Sequence, residues 1–263
     1  MTTSQSKGTV YVWGTVRGKV VSEVPKRMTT EMKGEIGATT FKKVSSGGDN
    51  VIAVVAKDDA IWMMEGDSMK PLDEKMKWKS VSCGAMTFSA ISESGRIFEW
   101  GSMKPMTSEK QDISKQKREV AMPVGHSGAV SVTCGALHTM VACEDGSLLC
   151  FGDNTSGQLG VGDTAPRESA TPVPGIEHAT AVSGGGRHSV AVTVDGTVLI
   201  WGKGDEGDNH VPRPISWGEG AKAVSQVACG DKHTILLSRE GNLFAFGNNS
   251  SGQLGLGDTT SRK

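Results

Sequence analysis

Hydrophobic residues in this chain fall in short alternating runs, each closed by a glycine pair or an Asp-Gly step. One such set reads Val130-Ser131-Val132-Thr133-Cys134-Gly135, then His138-Thr139-Met140-Val141-Ala142, then the turn Asp145-Gly146, then Leu148-Leu149-Cys150-Phe151. The same order returns as His188–Val192, Asp195-Gly196 and Val198–Trp201, and again as His233–Leu237, Glu240-Gly241 and Leu243–Phe246. Short β-rich runs separated by Asp-Gly turns predict antiparallel hairpins. Glycine supplies the positive φ of such turns and aspartate tolerates it. Each set therefore predicts three or four short antiparallel strands.

The sets keep a period. An aromatic-Gly pair closes a run at Trp13-Gly14, Trp100-Gly101, Phe151-Gly152, Trp201-Gly202 and Phe246-Gly247, and the last four glycines are 51, 50 and 45 residues apart. A second marker runs in step at Cys83-Gly84, Cys134-Gly135, Gly184-Gly185 and Cys229-Gly230, with a degenerate copy at Gly47-Gly48. Residues 151–163 and 246–258 repeat almost letter for letter, both containing Gly-Gln-Leu-Gly-x-Gly-Asp. A sheet of this size cannot bury its apolar face alone and must be covered by neighbours. Radial stacking of such sheets at a spacing near 50 residues predicts an all-β chain, a β-propeller of antiparallel four-stranded blades with about five blades present. Residues 1–263 read as a single propeller domain, with units at 9–57, 58–94, 95–145, 146–195, 196–240 and a partial 241–263. The glycine after each cysteine is expected in a tight turn, and the aromatic before each glycine between blades.

These paired markers, Cys-Gly-x-x-His-Thr and aromatic-Gly-x-Asn-x-x-Gly-Gln-Leu-Gly-x-Gly-Asp, resemble the repeats of the regulator of chromosome condensation superfamily. The resemblance covers residues 10–258 and is strongest over 130–258. It implies a seven-bladed ring, which at about 50 residues a blade needs about 350. The 263 residues here supply five cycles and part of a sixth. The expectation is part of a longer chain, carrying part of a seven-bladed ring. The other route is a smaller ring, closed by the opening strand Thr9–Gly14 joining the last sheet. No Trp-Asp pair occurs, which separates the chain from WD propellers.

Composition narrows the partners. The 28 basic and 29 acidic residues leave a net charge of −1, without the basic excess of a dedicated nucleic-acid surface. The N-terminus shows no secretory core and no run approaches a membrane span, so no membrane contact is expected. Cys83, Cys134 and Cys229 hold one place in three units, so they are expected apart, reduced and buried, in a cytoplasmic and/or nuclear protein.

Motifs that suggest catalysis fail on context. Gly202-Lys203-Gly204-Asp205-Glu206-Gly207 has dinucleotide spacing but its two acids would repel phosphate, and no helix pattern follows. Gly125-His126-Ser127-Gly128-Ala129 looks like a nucleophile elbow, yet Ser127 precedes a strand and no acid–His set is evident. The histidines 138, 188 and 233 recur one per unit, which predicts a structural ring N–H bond to a backbone carbonyl rather than a shared metal. No catalytic residue, metal or cofactor is expected. The basic stretch Ser102–Pro123 reads as a solvated loop or short helix.

The positions expected to matter are the two residues before each repeat histidine. The resemblance implies that these turns line one face of the ring. In the superfamily's exchange factor for the small GTPase Ran, acidic residues there are important for catalysis. The matching candidates are Asp49, Asn50, Met86, Leu137, Arg187, Asp231 and Lys232. Two of these are acidic, and no counterpart of the exchange factor's β-wedge follows Trp100-Gly101 or Phe151-Gly152. The leading expectation is a non-enzymatic propeller that binds a protein partner. One alternative is exchange on a Ran-type GTPase through Asp49 and Asp231. The other is a regulatory piece of a larger ubiquitin ligase or kinase.

Overall fold

The computed structural model describes residues 11–16, 19–27, 41–47, 51–56, 59–65, 68–73, 76–85, 87–101, 116–204, 208–215 and 223–263. Among them there is no helix. The strands form six successive sheets. The first pairs β1 (Tyr11–Val16) with β2 (Lys19–Arg27). The second holds β3 (Phe41–Gly47), β4 (Val51–Ala56), β5 (Ile61–Glu65) and β6 (Ser68–Asp73). The third holds β7 (Trp78–Cys83), β8 (Thr87–Ser92), β9 (Ile97–Gly101) and β10 (Arg118–Val120). The fourth holds β11 (Ala129–Cys134), β12 (His138–Cys143), β13 (Ser147–Gly152) and β14 (Arg167–Glu177). The fifth holds β15 (Ala179–Gly184), β16 (His188–Thr193), β17 (Val198–Gly202) and β18 (Asn209–Pro214). The sixth holds β19 (Val224–Cys229), β20 (His233–Ser238) and β21 (Leu243–Gly247).

Every sheet is an antiparallel meander in chain order, as the Asp-Gly turns predict. The opening strand pairs with β2 and the last described sheet has three strands, so the structure does not show that strand completing the sixth sheet. The repeat unit cut at the Asp-Gly turns is out of phase with the sheets. Residues 146–195 supply the outer strands of the fourth sheet and the inner two of the fifth. Each unit thus ties two neighbouring sheets covalently.

The core is a series of slabs between sheets, because each sheet's apolar face is covered by the next. Ile61 and Met63 of β5 pack on Trp78, Phe88, Phe98 and Trp100 of the third sheet. Ile91 and Ile97 pack on Val132, Leu149 and Phe151 of the fourth. Met140, Leu148 and Cys150 pack on Ala191 and Trp201 of the fifth. Val190, Val192 and Val198 pack on Val224 and Leu236 of the sixth, with Phe246 against them. Trp100, Phe151, Trp201 and Phe246 thus occupy one place at four successive interfaces, as the repeat predicts. The first strands β7, β11, β15 and β19 touch in succession and are the strands nearest the common axis.

Recurrent polar bonds pin one sheet to the next. The Cys134 N–H donates to Ser82 Oγ at 2.9 Å and its thiol to the Ser82 carbonyl at 3.2 Å. Cys83 does the same with Ser45, and Cys229 with Ser183. All five cysteines are free thiols. Burial pushes Cys150 up to about 12 and Cys229 up to about 11, so they act as protonated donors rather than nucleophiles.

The repeat histidines also reach across interfaces, but not to a backbone carbonyl as their position suggests. His138 Nε2 lies 2.8 Å from Ser189 Oγ, and His188 Nε2 lies 3.0 Å from Thr234 Oγ1. Ser189 donates its own proton to the Gln158 carbonyl, so it accepts from His138, which fixes the Nε2–H tautomer. A hydroxyl wins because it sits one residue beyond the next histidine, directly facing the ring.

Candidate functional site

Antiparallel alternation sends the hairpin tips before each repeat histidine to one end of every sheet and the Asp-Gly turns to the other. At the tips, the N–H of Gly84, Gly135, Gly185 and Gly230 donates to the carbonyl of Thr87, His138, His188 and His233, at 2.7–2.9 Å, closing a two-residue turn. The glycine is required for space as well as for the turn. A methyl group on Gly185 would stand 2.1 Å from His188 Cε1 and 2.7 Å from the Gly230 carbonyl.

The tips are then tied to one another around the axis. Ala85 N–H donates to the Ala136 carbonyl at 3.0 Å, Ala136 N–H to Gly185 at 3.0 Å, and Gly186 N–H to Asp231 at 2.9 Å. Each tip is also held from its own sheet. Asp153, Lys203 and Asn248 donate their N–H to the carbonyls of Leu137, Arg187 and Lys232. This belt makes the tip face rigid, and it holds the side chains of Leu137, Arg187, Asp231 and Lys232 at fixed stations.

Those four residues line one cleft of about 1040 Å³, to which the fourth, fifth and sixth sheets all contribute. Asp49, Asn50 and Met86 lie outside the described residues. Among the described residues its lining carries Arg187, Lys203, Arg213, Lys232, Arg262 and Lys263 beside Asp153 and Asp231. Ile200, Pro214, Ile215 and Phe246 form its apolar wall. Asp231, the acid carried by the described tips, is exposed, and its carboxylate lies against Gly186 of the neighbouring turn. Arg187 and Lys232 have no carboxylate partner among the described residues, whereas Lys203 pairs with Asp208 at 3.1 Å and Arg262 with Asp258 at 2.7 Å.

The Gly-Gln-Leu-Gly segment builds a second feature of this face. Asn154, wholly buried, donates to the Asp163 and Ala165 carbonyls at 2.9 and 3.0 Å and accepts from Leu159 N–H at 3.0 Å. Gln158 accepts from Ser156 N–H and donates to Asp153. Asn249 and Gln253 repeat this network in the second copy. The loop so folded inserts between sheets: the Gln158 carbonyl accepts from Trp201 Nε1 at 2.8 Å and Leu159 is buried beside Trp201.

Other motifs settle into structural roles. Gly202 closes β17 and a strand, β18, follows Asp208, while 205–207 of that motif lie outside the described residues. His126 does meet an acid that its sequence surroundings did not reveal: Nδ1 lies 3.4 Å from Asp145 and 2.9 Å from Ser147 Oγ, at the Asp-Gly end. Ser127 Oγ accepts from Asp145 N–H at 2.7 Å, and Ser147 donates to Asp145, so the group caps a turn. The basic stretch is corrected in part. Residues 102–115 lie outside the described residues, but Lys117 and Arg118 turn inward rather than into solvent. Lys117 Nζ stands 4.5 Å from the Phe98 ring centre and 5.2 Å from Trp78, and Arg118 Nε donates to buried Glu99 at 2.7 Å.

Comparison with known proteins matches this architecture. The model of the Regulator of chromosome condensation (RCC1) repeat matches residues 129–158, 179–208 and 224–253, and a second model of that description matches 145–192 and 195–237. The first set starts where β11, β15 and β19 start. The chain is 30% identical over 243 residues to the probable E3 ubiquitin-protein ligase HERC6 of Homo sapiens, covering 85% of this chain and 23% of that one. It is 30% identical over 200 residues to the ultraviolet-B receptor UVR8 of Arabidopsis thaliana, covering 72% of this chain and 45% of the receptor. Among solved structures, human WBSCR16 aligns with a TM-score of 0.75 at 21% identity, over 93% of this chain and 69% of that one. Prp20p of Saccharomyces cerevisiae, described with its binding properties to Gsp1p and histones, aligns at 0.74 and 16% identity over 90% and 66%. The chain spans less than a quarter of that ligase and under half of the receptor.

Proposed function

Because the chain belongs to the regulator of chromosome condensation repeat superfamily, we propose that it works as a non-enzymatic regulatory propeller that docks a protein partner on its tip face. The observation that carries this reading is the belt of backbone bonds beneath Leu137, Arg187, Asp231 and Lys232. Function on propeller-like scaffolds sits in loops held by a rigid frame, and here the frame extends into the turn tips themselves. Likeness to ligases in which the matched part is a minor share of the chain supports a regulatory rather than a catalytic part. Exchange on a Ran-type GTPase is not favoured, since Asp231 is the one acid on the described tips.

Two measurements test the reading. Partners recovered with the whole chain from its own cells should be lost with Arg187→Glu/Lys232→Glu and kept with Asp195→Lys/Glu240→Lys, which alters the opposite, Asp-Gly end. The reverse pattern would overturn the assignment of the face. Release of labelled GDP from a Ran-type GTPase should be unchanged by the chain. Faster release, abolished by Asp231→Ala, would replace docking by exchange.

A further inference from the structure

The third sheet departs from the repeat at the places that surround Lys117. By strand register, Trp78 stands where the next three sheets carry Ala129, Ala179 and Val224. Phe98 stands where the fourth and fifth carry Leu149 and Leu199. The later interfaces close without these rings, so packing of one sheet on the next does not require them. They also carry a cost. The indole N–H groups of Trp78 and Trp100 are buried without a hydrogen-bond partner. Trp201, at the place of Trp100, instead donates to the Gln158 carbonyl at 2.8 Å. A buried unpaired donor is destabilising, so the ring faces serve something other than packing.

What the rings face is a cation. Lys117 Nζ lies 4.5 Å from the centre of the Phe98 ring, 5.2 Å from Trp78 and 5.6 Å from Trp100, with Met76 Sδ at 3.3 Å. Trp78 is inclined at 82° to Phe98 and at 59° to Trp100, so the three form a cup rather than a stack. Aromatic faces gathered around one ammonium attract its charge, and cups of this kind suit methylated ammonium groups. A methyl carbon touching a ring sits about 3.5–4.0 Å from it and about 1.5 Å from its own nitrogen, which puts the nitrogen about 5 Å from the ring. The three distances match that spacing.

We propose that Lys117 is a methylation site and that the cup seats the methylated side chain. In each round the neutral Nζ, its proton lost to solvent, attacks the methyl carbon of a sulfonium donor held by a methyltransferase. The N–C bond forms, the C–S bond breaks, and the donor leaves as a thioether. The product nitrogen stays cationic, so the rings still attract it while its methyl groups bury against them. The N–H toward Met76 Sδ keeps a hydrogen on the nitrogen, which makes dimethyllysine the upper limit. Access comes through the edge of the sheet. Lys117 is partly exposed and precedes β10, a strand of three residues bonded to β9 alone.

Peptide-resolved mass spectrometry of the whole chain from its own cells should find one or two methyl groups on Lys117. A bare, acetylated or trimethylated Lys117 would overturn the proposal. The cup is tested separately on the whole chain made without methyltransferases and treated with isotope-labelled formaldehyde and a borohydride, which dimethylates accessible lysines. Ring currents should move the N-methyl signals of Lys117 upfield of those of the other lysines, and the moved signals should vanish in Lys117→Arg. Phe98→Leu restores the residue of the next two sheets, so it should melt as a folded protein and lose part of the displacement. A Lys117 that the reagent cannot reach, or whose signals lie among those of solvated lysines, would equally overturn the proposal.

Discussion

Arg118→Met should lower the stability of the chain by about 3 kcal/mol, because it leaves Glu99 buried without its cation. The two residues face each other across β10 and β9, and Glu99 is 4% exposed. Arg118 Nε donates to Glu99 Oε2 at 2.7 Å, its Nη1 reaches the Glu168 carbonyl of the next sheet at 2.7 Å, and its guanidinium lies 5.9 Å from the Phe151 ring centre. One side chain thus joins the third sheet to the fourth. Burial lifts the Glu99 carboxyl above its ordinary range in spite of Arg118. A carboxyl raised in the folded state favours folding at low pH and loses that contribution as pH rises through its folded value. The deficit of Arg118→Met should therefore be largest near neutrality and shrink toward pH 5. Denaturant melts of the single variant and of Glu99→Gln/Arg118→Met test this. The double variant should recover most of the loss, and an equally unstable double variant would show that packing, not the unpaired charge, is at fault.

Acidification should destabilise the chain through His138, by up to about 3 kcal/mol. The ring is 1% exposed, and burial, with His188 nearby, lowers it from 6.5 to about 4. Nδ1 has no hydrogen-bond partner, and Nε2–H is committed to Ser189, so a second proton would enter a dry site. The unfolded chain binds that proton below about 6.5 and the folded chain does not until about 4. Stability is thus fully present above about 6.5 and falls steadily across that window. The third sheet shows that this station needs no titrating group, since Thr87 holds it there and closes the same tip bond from Gly84 N–H at 2.7 Å. His138→Phe should flatten most of the pH dependence. His188, also held below its ordinary value by burial, leaves a residual slope. An unchanged slope in His138→Phe would place the acid sensitivity elsewhere.

The parts of this molecule that could be read from its sequence are those where backbone demand and burial coincide. Phe151 and Phe246, Gly135 and Gly185, and the Asp-Gly turns recur in phase because every interface needs them. The fourth strands were expected from the four-stranded blade but could not be placed along the chain, for the opposite reason. They lie outermost, bonded on one side, and tolerate residues a central strand would reject. β14 carries Pro172, Pro174 and Gly175, and β18 carries Pro212 and Pro214, so neither shows an alternating pattern. Lys117 and Arg118 read as solvated because charge usually is, and their inward turn depends on Glu99 and an aromatic cluster in neighbouring strands. The stations of Leu137, Arg187, Asp231 and Lys232 followed from the repeat's phase. The cleft beside them did not, because its lining is drawn from three sheets and from segments far apart in the sequence.

Neighbouring sheets are bonded tip to tip near their axis. Residue-resolved amide hydrogen exchange measures this directly, since an ordinary hairpin tip exchanges quickly. The amides of Ala85, Ala136 and Gly186 should exchange as slowly as those in the middle of β12. Exchange as fast as that of Val194, in the exposed turn at the other end of the fifth sheet, would contradict it.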